Sequence, residues 1–154
     1  MASPLALTLG EPAGIGPDIT FAAWRARAEL ELTPFYLIAD PEFIARRARA
    51  MASDVSIAVV EPAAASSTFK TALPVVDLGV AVSAESGRPD RSSAPAALAA
   101  IRRAVADVVA GAAAAIVTIR SPRTCSTARA SPSPGTPNFS PSSPLRRPAS
   151  MRIR

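Results

Sequence analysis

Histidine is absent from all 154 residues, which excludes metal sites and proton relays built on imidazole. A single cysteine, Cys125, excludes both a disulfide framework and a cysteine-type metal cluster. No apolar run approaches the roughly 18 residues of a membrane span, and the N-terminus has neither the basic region nor the apolar stretch of a signal peptide. The expectation is a cytoplasmic protein with no membrane partner. Lysine occurs once, at Lys70, against sixteen arginines, a bias that with the abundant alanine points to a GC-rich coding sequence.

What is present divides into two compositions. The chain is 49% apolar, ample for the core of one domain. Residues 1–118 hold ten Lys or Arg against twelve Asp or Glu, a net of −2, whereas residues 119–154 hold seven Arg and no acid, a net of +7. That tail also contains seven of the sixteen prolines and eight serines, so it cannot bury enough apolar surface to offset its ordering entropy. The expected organisation is a folded region over 1–118 and a disordered Ser/Pro/Arg-rich tail over 119–154.

Within residues 1–118, short apolar runs alternate with helical patterns. PLALTL (4–9), PFYLIA (34–39), 55–60, 73–78 and AAAIVT (113–118) read as strands. PDITFAAWRARAEL, with Ile19, Ala22, Ala23, Ala26 and Leu30 at helical spacing, reads as a helix with Pro17 in its first turn. A second helix begins at DPEF with Asp40 as N-cap, and APAALAAIRRAVADVV (94–109) is the longest helical pattern. Such alternation predicts an α/β fold with a parallel sheet flanked by helices on both faces.

The stretch LTLGEPAGIGPDIT (7–20) runs from a strand through a glycine-rich turn into a helix. Its backbone amides and helix N-terminus suit a phosphate or carboxylate, but the third glycine of the dinucleotide fingerprint is missing after Gly14-Ile15-Gly16. A tight structural turn, with glycines for unusual backbone angles and Asp18 for the helix dipole, explains the same residues. Spacing alone does not choose between the two.

GEPAGIGPDIT resembles the N-terminal signature of the 4-hydroxythreonine-4-phosphate dehydrogenase family of pyridoxal phosphate biosynthesis, and SAESGRPD (83–90) resembles the same family in the expected order. The resemblance runs from residue 5 to 118 and implies the N-terminal portion of an isocitrate/isopropylmalate dehydrogenase-like fold. It further implies NAD, a divalent metal held by histidines, a phosphorylated small-molecule substrate and a homodimer. Gly10, Glu11, Gly14, Gly16, Pro17 and Asp18 match the family loop and are candidate ligand-proximal residues. No catalytic or metal residue of the family has a counterpart here, and neither cofactor is expected to bind this chain properly. A related dehydrogenase of another phosphorylated hydroxy acid is the alternative within the fold.

In the family, the last strand should continue as T-x-P-x-x-K and reach a G-H-T-E-F segment. If one base is lost near codon 119, each tail residue fixes the last two bases of an original codon. Gly135-Thr136-Pro137-Asn138-Phe139 then permits G-H-T-E-F at all five positions, and the preceding tail permits T-N-P-I-A-K from Thr118 onward. The tail is accordingly expected to be the family sequence read out of frame, and the chain to lack catalysis. A basic-tailed nucleic-acid-binding protein is the rival from another class, and the lack of aromatic interleaving beyond Phe139 weighs against it.

Overall fold

The computed structural model describes residues 3–88 and 93–119, so the tail from residue 120 lies outside the described residues. Among these residues five strands, β1 (Leu5–Thr8), β2 (Phe35–Ala39), β3 (Ile57–Val59), β4 (Leu73–Asp77) and β5 (Ala115–Thr118), form one sheet in the order β3-β4-β2-β1-β5. Every pairing within it is parallel, with Leu7 opposite Leu37 and Val117, and Val75 opposite Leu37 and Val59. Among the described residues four helices connect the strands: α1 (Gly16–Arg25), α2 (Pro41–Ala50), the single turn α3 (Ala65–Thr68) and α4 (Ala94–Val109). The α/β class and all five expected strands are present.

Strand alternation sorts the core into two layers. Leu7, Leu37 and Val75 face Phe21 and Trp24 of α1 and Phe43 and Ile44 of α2. Ala6, Tyr36, Ile38 and Val76 face Ala65 of α3 and Ala100 and Ala104 of α4. All of β2 is buried because it is covered on both faces and paired on both edges. β5 stands at the sheet edge and is mostly exposed. Beside it an apolar groove of about 360 Å³ opens between α1 and the sheet, lined by Leu5, Leu7, Ile19, Ala23, Phe35 and Val117.

The expected stripe of the first helix, Ile19, Ala22, Ala23, Ala26 and Leu30, is not its buried face. Ile19 is 46% exposed and Leu30, beyond the helix end, is 60% exposed, whereas Gly16, Pro17, Thr20, Phe21 and Trp24 are buried. Two anchors set this rotation. Gly16 presses against the Leu9 carbonyl, and the Trp24 indole N–H donates to the Phe69 carbonyl at 3.0 Å. The Arg27 guanidinium stacks over that indole at 3.7 Å and closes the anchor from outside. Between β3 and β4, where the residue pattern predicts no element, a 3-10 turn over Pro62–Ala64 runs into α3.

A polar triad holds α4 to the sheet. The buried Tyr36 hydroxyl donates to Asp107 Oδ2 at 2.8 Å, and Arg103 Nε donates to Asp107 Oδ1 at 2.9 Å. Burial, reinforced by the hydrogen bond to Asp107 and its charge, pushes the Tyr36 phenol well above its ordinary 10.0. Below pH 10.0 folded and unfolded chains both keep the phenol protonated; above it the unfolded chain ionises first, so stability falls as pH rises. Tyr36 is the only tyrosine, so a spectrophotometric titration of the phenol should show a native midpoint well above the denatured one. Tyr36→Phe, which strands a buried carboxylate oxygen, should cost about 1–3 kcal/mol in denaturant unfolding.

Candidate functional site

In a parallel sheet the strand carboxyl ends collect the connecting loops, and here that end gathers most of the candidate residues. β1 runs into Gly10, whose φ of +68° needs glycine, and the chain turns through Glu11 to Gly14 into α1. The turn closes on itself. Gly14 N–H donates to the Glu11 carbonyl at 3.0 Å, and Ala13 N–H donates to Glu11 Oε1 at 3.2 Å.

Gly16 owes its identity to packing: a Cβ there would stand 2.5 Å from the Leu9 carbonyl oxygen. At Gly14 it would meet the Glu11 carbonyl oxygen at 3.1 Å. Pro17 sits buried in the first turn of α1, where its missing N–H costs nothing. Asp18 is paired to Arg47 of α2, which donates from Nε to Oδ1 at 2.8 Å and from Nη2 to Oδ2 at 2.9 Å. Of the three glycines only Gly10 has the unusual backbone angle expected of the turn; Gly14 and Gly16 are set by close packing, and Asp18 by its ion pair.

Two features have no signal in the sequence pattern. Glu11, only 4% exposed, also accepts a 2.7 Å hydrogen bond from the Ser93 hydroxyl at the start of α4. Gly87 N–H donates to the Ala13 carbonyl at 2.8 Å, so the SAESGRPD and GEPAGIG stretches touch through described residues of both. Asp40 does similar bracing at the end of β2. Its Oδ1 accepts from Glu42 N–H at 2.9 Å as the expected N-cap, and its Oδ2 accepts from Val82 N–H at 2.8 Å.

The connections after β2 and β4 leave the sheet toward opposite faces, which makes the gap between those two strand ends the switch point where such sheets bind ligands. That gap is filled. Val82, Phe43 and Ala96 leave a cavity of about 20 Å³ there, room for about one water. Among the described residues, Thr8 Oγ1 is the only buried side-chain polar atom without a hydrogen bond. No group of three or more His, Cys, Asp or Glu gathers among the described residues. Glu11 and Asp40 are already bound to backbone amides, so the residues present do not fit a histidine-held divalent metal. None of the described helices is long and apolar enough to cross a membrane.

Fold and site together define an α/β protein of the parallel-sheet class whose glycine-rich first turn is braced from α2 and α4. A family model described as pyridoxal phosphate biosynthetic protein PdxA matches residues 31–140, and the chain belongs to that family. The match runs past Thr118, where the visible resemblance stops. A 4-hydroxythreonine-4-phosphate dehydrogenase of Bradyrhizobium diazoefficiens is 57% identical over 125 residues, covering 76% of this chain and 36% of that protein. Its namesake in Methylorubrum populi is 50% identical over 117 residues, covering 75% and 34%. The crystal structure of a 4-hydroxythreonine-4-phosphate dehydrogenase from Burkholderia phymatum has the same fold, with a TM-score of 0.67 at 21% identity over 77% of this chain and 36% of that one. The chain thus spans about a third of the length of the relatives it matches.

The packing at Gly16 generates a test. Gly16→Ala should destabilise the chain by about 1–3 kcal/mol in thermal or denaturant unfolding, because neither the Leu9 backbone nor α1 can yield alone. Gly14→Ala, with its looser contact, should cost less.

Proposed function

We propose that the lineage to which this chain belongs oxidises 4-hydroxythreonine 4-phosphate with NAD in vitamin B6 biosynthesis. In that cytoplasmic reaction NAD would take a hydride from the carbinol carbon while the hydroxyl proton is released to solvent, and the resulting 3-oxo acid would lose carbon dioxide, the enolate left behind taking up a proton. The observation that carries this reading is the 57% identity over 125 residues to a 4-hydroxythreonine-4-phosphate dehydrogenase, covering 76% of this chain. Homodimer formation and a divalent metal belong to the same reading.

The 154-residue chain itself is proposed to be catalytically silent. It has no histidine, and it spans about a third of the length of the relatives it matches. Residues 119–154 are proposed to be the family sequence displaced by one base. The support for this is that Gly135-Thr136-Pro137-Asn138-Phe139, shifted by one base, permits G-H-T-E-F at all five positions. A tail read out of frame explains a +7 arginine excess without a nucleic-acid partner.

Two measurements test the reading. Purified chain supplied with NAD, 4-hydroxythreonine 4-phosphate and a divalent cation should produce no NADH above background; turnover would refute the silent assignment. Sequencing the gene across codons 115–160 should reveal T-N-P-I-A-K and G-H-T-E-F in an adjacent frame, and their absence from all frames would refute the displaced-frame origin.

A further inference from the structure

Glu11 and Ser93 are 82 positions apart in sequence and 2.7 Å apart in the fold. The Glu11 carboxylate, 4% exposed, has Oε1 held by the Ser93 hydroxyl and by the Ala13 amide of its own turn. Ser93 is itself 3% exposed and stands at the N-cap of α4, yet its side chain makes no capping bond to that helix. A second tie runs alongside, from Gly87 N–H to the Ala13 carbonyl at 2.8 Å. Ala13 is thereby gripped at both its backbone groups, its N–H by Glu11 and its carbonyl by Gly87. On the opposite flank Arg47 holds Asp18 bidentately, with its Nη2 within 3.5 Å of the Gly14 carbonyl.

A buried carboxylate is costly unless its charge is met by donors, so a Glu at this position marks a contact the fold requires in one geometry. A capping serine diverted from its own helix to that carboxylate points the same way. We propose that Glu11 and Ser93 are a positioning pair: their hydrogen bond fixes the conformation of the glycine-rich turn Gly10–Gly16 relative to the start of α4. The turn is thereby presented at the strand carboxyl ends already ordered, and a ligand meeting it there has no loop-ordering entropy to supply. This deepens the functional reading above and rests on it only in taking the turn as ligand-facing. The ordering of the turn by this pair is measurable without cofactor or substrate.

The test is amide hydrogen exchange by NMR on the full 154-residue chain carrying Ser93→Ala, Glu11→Ala, both together, or Ser93→Thr. Ser93→Ala and Glu11→Ala should each speed exchange at Ala13 and Gly87 about tenfold while leaving Leu37 and Ile38 of the central strand unchanged. The double variant should exchange no faster than Glu11→Ala alone, since that change already removes the acceptor of the Ser93 hydroxyl together with that of the Ala13 amide. Ser93→Thr, which keeps the hydroxyl, should retain native rates. Unchanged rates in Ser93→Ala, multiplied effects in the double variant, failure of Ser93→Thr to retain native rates, or equal acceleration at Leu37 and Ile38 would each overturn the assignment.

Discussion

A parallel strand pair cannot be joined by a hairpin, so every connection in this sheet must cross a face, and crossovers are almost always right-handed. From that constraint the layers follow. The steps β1 to β2 and β2 to β3 run one way along the sheet and place α1 and α2 on one face; β3 to β4 and β4 to β5 run back and place α3 and α4 on the other. Reversal of direction leaves a crevice between β2 and β4, and the chain fills it with its own Val82, pinned by Asp40. What remains available at the carboxyl ends is the glycine-rich turn, braced by one pair from each face, Asp18–Arg47 and Glu11–Ser93.

Much of this layout is legible in the residues because strand signals here are strong: short apolar runs of Val, Ile, Leu and aromatics, ended by Gly, Asp or Pro. Each strand falls inside its expected span, and the Asp40 cap and the long fourth helix stand where expected. The inward face of α1 is not legible because alanine is almost indifferent to burial, so Ala22, Ala23 and Ala26 carry little directional information. Thr20 and Gly16, which look polar or neutral in a pattern, are buried because the helix lies against Leu9. The turn α3 is invisible because ASST has no apolar period at all.

At the candidate site, the glycine-rich turn and its neighbours are legible as a local motif, but not what the motif does. Whether Gly16 serves a ligand or a strand depends on what its α-carbon approaches, and that is a property of β1. Glu11 reads as one letter of a signature; its partner lies in another connection, at a separation no periodicity can span. The family relation rests on sequence identity with the relatives, and the solved structures add the fold.

Helix α4 is built inside out. Toward the sheet it presents Ala96, Ala100, Ala104 and the Tyr36-bound Asp107, while Leu98, Ile101, Val105 and Val109 are between 42% and 83% exposed. Small residues inward let the helix lie close to the strands, but they contribute little transfer free energy, and larger apolar side chains at i, i+3, i+7 and i+11 are left in water. The consequence is colloidal more than conformational: a chain of this design can hold its internal geometry and still lose solubility with rising concentration.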